Sequence, residues 1–211
     1  MSMRMLIASG LVLTASLVHA DPFVEGDPEA GAEKAAPCAA CHGGDGNSTN
    51  PQWPKIAGQS SAYLYQQLKH FKSGDRANAI MQGQVANLSD QDMKDIAVHF
   101  AGNNMTPGVA DPDLVKRGGK LYHAGDEEAG IPACAGCHGP AGQGNAAAAY
   151  PRIAGQHAAY LSTRLKAYRE GEQDYPAAAI MSGVAAELED ADIQALTSYI
   201  QGLAPRSKAS P

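Results

Sequence analysis

The sequence predicts a mostly α protein built from two tandem copies of one helical unit. Residues 61–72 and 158–170 place Tyr63, Leu64, Leu68, Phe71 and Leu161, Leu165, Tyr168 at helical spacing. No alternating apolar stretch of useful length suggests a sheet. The two halves also align segment by segment. Trp53-Pro54-Lys55-Ile56-Ala57-Gly58-Gln59 recurs as Tyr150-Pro151-Arg152-Ile153-Ala154-Gly155-Gln156. Ala79-Ile80-Met81 recurs as Ala179-Ile180-Met181, and Leu88-x-Asp90-x-Asp92 as Leu188-x-Asp190-x-Asp192. The register drifts through small loop insertions and no motif is lost. Duplication is the simplest origin.

Residues 1–20 read as a cleaved signal peptide. Arg4 supplies the positive start, Leu6 to Val18 is an uncharged apolar run, and Val18-His19-Ala20 is an acceptable cleavage site. That run is shorter than the roughly 20 residues a membrane span needs. The mature chain is expected to begin near Asp21 and to work outside the cytoplasm. The first domain is assigned to residues 21–104, with an opening helix over 28–36 and a second over 61–72 stopped by Gly74. Ser89-x-x-Asp92 has the form of a capping box and opens a helix toward Phe100. Residues 105–112, with two prolines and a glycine, form the linker. The second domain, residues 113–205, opens with a helix over 113–123. Asp111 is suited to its N-cap and Pro112 to its first turn. Its later helices cover 158–170, stopped by Gly171, and 190–201. Residues 206–211 are a tail.

Removing the signal peptide with Arg4 takes the formal net charge from −6 to −7. An acidic chain lacks the basic stripe of a nucleic-acid binder, and its charge suits steering toward a basic patch on a protein. Aromatic residues are sparse, with three Phe and one Trp. Each half therefore has little apolar material for a core and needs a staple.

The staple is written in the cysteines. All four lie in two copies of Cys-x-x-Cys-His: Cys38, Cys41, His42 and Cys134, Cys137, His138. This is the attachment signature of c-type haem. Each cysteine forms a thioether to the porphyrin edge, and the adjacent histidine becomes the proximal iron ligand. Two covalently bound haem c groups are expected.

The sixth ligand decides between electron transfer and chemistry at iron. After the second motif the sequence holds one methionine, Met181. The first half offers Met81, Met93 and Met105, and the repeat selects Met81 because it aligns with Met181. Met93 falls inside a helix, where filling a core gap is the simpler role, and Met105 lies in the linker. Of the histidines outside the motifs, His70, His99, His123 and His157 have no histidine at their repeat positions. His157 is a competitor if its loop folds over the second haem. Pro54 and Pro151 carry two readings: a carbonyl acceptor for the ligating histidine's ring N–H, or a rigid turn. Lys55 and Arg152 likewise suit either a haem propionate or a solvated surface.

With these residues in hand, the chain resembles the dihaem cytochromes c4, in which two class I cytochrome c domains form a pseudo-symmetric pair. The resemblance spans essentially the whole mature chain. It implies periplasmic electron transfer, often toward a terminal oxidase, with His42, Met81, His138 and Met181 on iron. It also implies that the Pro54 and Pro151 carbonyls accept from the ligating histidines, and that the haems face each other across the domain interface. Trp53 against Tyr150, and the Ala-rich 145–149 loop, are local departures.

The expected function is thus an electron carrier between redox proteins, a respiratory donor and a terminal oxidase or similar acceptor, with no small-molecule substrate. Peripheral attachment to a membrane stays open. The alternative is a dihaem enzyme, a peroxidase or a sulfur-compound dehydrogenase, with one open iron. The symmetric Ala-Ile-Met segments argue against it. A four-thiolate zinc site and two short-range disulfides are further readings that the export signal and the two histidines disfavour.

Overall fold

The computed structural model describes residues 23–172 and 175–204. The signal peptide and the tail after residue 205 lie outside them. Helices α1 (Pro28–Lys34), α2 (Ala36–His42), α3 (Ser61–Ser73), α4 (Ala79–Val85) and α5 (Asp90–Ala101) form the first unit. Helices α6 (Pro112–Ala124), α7 (Ala135–His138), α8 (Ala158–Arg169), α9 (Pro176–Ala185) and α10 (Asp190–Gly202) form the second. Among the described residues the only β pairing is two isolated bridges, Asp126 with Ile131 and Asn145 with Tyr150.

Local chemistry explains most helix ends. The Asp27 carboxylate accepts from the Glu29 and Ala30 N–H groups at the start of α1, ahead of Pro28. Ser60 caps α3 through the Tyr63 N–H, and Gly74 closes it in the left-handed region. Ser89 and Asp92 form the capping box expected for α5, and Glu189 with Asp192 repeats it at α10. Asp111 caps α6, with Pro112 its first residue.

Several boundaries differ from the sequence reading. The opening helix over 28–36 is two helices that meet at Ala35, because Pro37 has no N–H to continue the first. Helix α8 ends at Arg169 with Glu170 as its C-cap, one residue short of the expected range, and Gly171 follows at φ 70° as the stop. Helices α4 and α9, which carry Met81 and Met181, were not anticipated. Asn78 caps α4 by accepting the Met81 N–H at 2.9 Å.

In each unit the opening helix crosses the closing helix: α1 on α5, and α6 on α10. A glycine sits at each crossing. A Cβ on Gly31 would lie 2.1 Å from the Asp95 carbonyl oxygen, and one on Gly118 would lie 2.2 Å from that of Ala195. Mid-helix glycine costs about 1 kcal/mol relative to alanine, yet here only glycine permits the approach. Gly118→Ala is expected to destabilise the second unit by about 1–3 kcal/mol through overpacking. Thermal unfolding of the haem-loaded protein tests this, and an equal or higher melting temperature contradicts it.

The connected buried clusters of the two units differ in size. Ala35, Leu64, Ile96, Ala97 and Phe100 are the buried cluster of the first unit. The second buries Leu121, Tyr122, Ile131, Leu161, Ala185, Leu188, Ile193, Leu196 and Ile200.

Candidate functional site

Both Cys-x-x-Cys-His motifs lie on short helices that end at their histidine. Cys38, Cys41 and His42 are on α2, whereas Cys134 caps α7, which carries Cys137 and His138. Gly43 and Gly139 follow at φ 83° and 79° and turn the chain off the helix. Cys38 and Cys134 pack against the two cores. Burial raises the Cys38 thiol and pushes Cys134 up to about 11. Such thiols are poor nucleophiles at neutral pH, which speaks against a redox dithiol. All four cysteines are free. Among the described residues no group of three or more His, Cys, Asp or Glu side chains is placed to share a metal ion. The zinc and disulfide readings therefore have no support.

His42 and His138 are 8% and 7% exposed. The His42 Nδ1 lies 2.8 Å from the Pro54 carbonyl oxygen, and the His138 Nδ1 lies 2.9 Å from that of Pro151. With Nδ1 protonated and donating, each ring leaves Nε2 as its free acceptor, the form needed to bind iron. Burial lowers the pKa of both rings and favours this neutral form.

The loops that hold these carbonyls share the same main-chain anchors. The Gly46 carbonyl accepts from the N–H groups of Ile56 and Ala57, as that of Gly142 does from Ile153 and Ala154. The Gly58 N–H reaches the Phe100 carbonyl, and the Gly155 N–H that of Ile200. Met81 and Met181 are half-buried, whereas the adjacent Ile80 and Ile180 face solvent. Met93 is buried within α5. The other histidines have partners elsewhere. His70 stacks on Tyr175 and contacts Asp75. His123 meets the Tyr199 hydroxyl, and His99 lies edge-on to Phe100. His157 does not fold over the second haem motif: its Nε2 lies 2.8 Å from the Ser48 carbonyl of the first unit.

That contact belongs to a domain interface that the sequence reading did not resolve. The Gln156 side chain accepts the Lys55 N–H and donates to the Lys55 carbonyl, each at 2.8 Å. Gln59 does the same to Arg152, again at 2.8 Å for both bonds. Arg76 reaches the Tyr160 hydroxyl at 3.0 Å and Gln67 at 2.6 Å. Only the repeat itself, which pairs Gln59 with Gln156, signalled any of this in the sequence.

The interface also concentrates positive charge. Lys55 and Arg76 are buried, which corrects the solvated-surface reading of Lys55. Lys55 donates to the Thr106 carbonyl. Burial lowers the pKa of both Lys55 and Arg152. Among the described residues Lys55, Arg76, Arg152 and Arg164 form no ion pair. The Arg152 Nε and Arg164 Nη2 atoms are buried without a hydrogen-bond partner. Buried cations and orphaned donors require compensation, and haem propionates are anions of the right kind. The residues present fit two haem groups: paired cysteines, neutral oriented histidines, and cations without an ion-pair partner, of which Lys55, Arg76 and Arg152 lie between the units.

Comparison with known proteins agrees. The Cytochrome c family model matches twice, over residues 29–100 and 115–204. Cytochrome c4 of Pseudomonas aeruginosa is 49% identical over 179 residues, 84% of this chain and 89% of that protein. The thiosulfate dehydrogenase electron acceptor of Thiomonas intermedia is 35% identical, over 84% of each chain. The crystal structure of reduced recombinant cytochrome c4 from Pseudomonas stutzeri superposes with a TM-score of 0.81 at 48% identity. It covers 85% of this chain and all of that one. The duplicated haem motifs, the mirrored histidine and loop geometry, and these likenesses lead to one assignment: the chain belongs to the cytochrome c4 family, electron-transfer proteins with two covalently bound haem c groups.

Proposed function

We propose that this protein carries electrons in the periplasm between a respiratory donor and a terminal oxidase or similar acceptor, with both irons held by His/Met pairs. In this reading Cys38, Cys41, Cys134 and Cys137 form the thioethers, His42 and His138 are the proximal ligands, and Met81 and Met181 are the distal ones. Residues 1–20 direct export, and residues 21–104 and 113–205 each hold one haem, joined by the 105–112 linker.

The observation that carries the reading is the repeated histidine geometry, with Nδ1 fixed by a proline carbonyl in both units. When bound, haem iron supplies the one-electron ferric/ferrous couple. The chain contributes the rest. It orients the imidazoles, brings a methionine from α4 and α9, and offers Lys55, Arg76 and Arg152 at the interface, with Arg164 beside Tyr168, to the propionates. A peroxidase or dehydrogenase needs one site specialised for substrate. Here both units present the same histidine, loop and methionine-bearing helix, which favours two carrier sites. Among the described residues no helix is long and apolar enough to cross a membrane.

The likeness to a thiosulfate dehydrogenase electron acceptor supports a sulfur-compound dehydrogenase as one class of donor. The mature charge of −7 suits docking to a basic patch. Stopped-flow mixing of the reduced protein with membranes that contain a terminal oxidase tests the direction of transfer. Reoxidation is expected, blocked by cyanide and slowed by salt. A reduced protein that stays reduced with active oxidase membranes, yet consumes peroxide, contradicts the carrier reading.

A further inference from the structure

The peptide group between Pro54 and Lys55 is bonded at both ends. Its carbonyl faces the His42 Nδ1 at 2.8 Å, and its N–H donates to the Gln156 Oε1 at 2.8 Å. The Pro151–Arg152 peptide repeats this in the other direction: its carbonyl faces the His138 Nδ1 at 2.9 Å, and its N–H donates to the Gln59 Oε1 at 2.8 Å. Each haem-motif histidine is therefore connected, through a single peptide bond, to a glutamine of the opposite unit.

The orientation of the two amides is determined by their partners. The Gln156 Oε1 also accepts the His157 N–H, while its Nε2 donates to the Lys55 carbonyl. The Gln59 Oε1 accepts the Ser60 N–H, while its Nε2 donates to the Arg152 carbonyl. A flipped amide would set an NH₂ against two N–H donors. Both glutamines are 4% exposed, so water does not compete for these bonds.

We propose that Gln156 and Gln59 are positioning residues that tune the two haems crosswise, with Gln156 setting the proximal histidine of the first haem and Gln59 that of the second. The inference rests on the proximal roles proposed for His42 and His138. Donating a hydrogen bond from its N–H polarises a peptide and makes its carbonyl a stronger acceptor, by about 10–30% per bond. A stronger acceptor draws on the Nδ1–H, raises the basicity of the ring and favours ferric iron. Loss of the glutamine bond weakens this chain and favours the ferrous state. The same two bonds hold the units in register, so the tuning exists only in the docked pair.

Gln156→Met and Gln59→Met keep side-chain length and remove the hydrogen bonds. The test is a redox titration of each haem-loaded variant by NMR, with haem methyl resonances assigned to their domains. Gln156→Met is expected to raise the potential of the first haem, and Gln59→Met that of the second. The expected size is a roughly threefold change in the oxidised-to-reduced ratio at fixed potential, about 28 mV at 59 mV per tenfold change for one electron. A shift confined to the haem of the mutated unit, equal shifts of both haems, or no shift overturns the proposal. Should the variants assemble poorly, the ferrous wild-type protein gives a second readout. A through-hydrogen-bond coupling between the Lys55 amide nitrogen and the Gln156 side-chain carbonyl carbon, with slow exchange of that amide, is expected. Its absence with rapid exchange overturns the relay. Loss of the sulfur-ligand band in wild-type protein would instead count against the ligand assignment, and leaves this amide readout interpretable.

Discussion

Replacing Met81 with alanine lowers the potential of the first haem by about 100 mV or more, a fraction of the roughly 0.8 V that axial ligation spans. Met181→Ala does the same to the second haem. A thioether stabilises ferrous iron, so its loss favours the ferric state. Each substitution also opens one iron to carbon monoxide or peroxide and leaves the other closed. Neither variant removes core packing, because Met81 and Met181 lie outside the two buried clusters. Folding should survive, and the redox effect should stay in the mutated unit. Potentials and ligand binding followed separately for the two haems check this, and unchanged values in both variants contradict the ligand assignment.

Loss of covalent haem attachment is expected to affect the two units unequally. Two of the five residues in the first unit's connected buried cluster are alanines, whereas the second unit's connected cluster has nine members with Tyr122 and several Leu and Ile side chains among them. Small domains bury too little surface to be stable unaided, so the first unit depends more on the macrocycle. The paired Cys38→Ala/Cys41→Ala variant should lose stability comparable to that of a whole small domain, about 5 kcal/mol, with most of the helix signal of α1–α5. The paired Cys134→Ala/Cys137→Ala variant should retain more of its unit. Circular dichroism during thermal unfolding measures both. A first-unit variant that melts cooperatively at the wild-type temperature contradicts the argument.

Much of this molecule is legible in its sequence because the repeat states each element twice. Helical spacing located α3 and α8, the Ser89–Asp92 capping box located α5, and the repeat placed α10 as its counterpart. Helices α4 and α9 escaped for a physical reason. Ile80 and Ile180 point to solvent at 66% and 51% exposure, while the buried positions are small or few, Val85 in α4 and Ala178 and Ala185 in α9. The split between α1 and α2 hinged on the missing N–H of Pro37, which a count of helix formers overlooks. Gly31 and Gly118 read as neutral positions in the sequence, since a close crossing is known only when both helices are in place. Gln59 and Gln156 stood out as repeated residues without a role. Their partners lie in the opposite unit, and a repeat alignment compares the units without docking them. Lys55 fell to the same limit, as its burial arises from the interface and the linker carbonyl of Thr106.

The central claim is that two equivalent His/Met haem sites pass electrons while their ligands stay bound. A spectroelectrochemical titration of the matured protein, followed through the red-region band of sulfur bound to ferric haem, tests it most directly. Two one-electron steps are expected, with the band present at both haems in the ferric state and neither ferrous iron binding carbon monoxide. A haem that lacks the band, or that binds carbon monoxide in the unmodified protein, contradicts it.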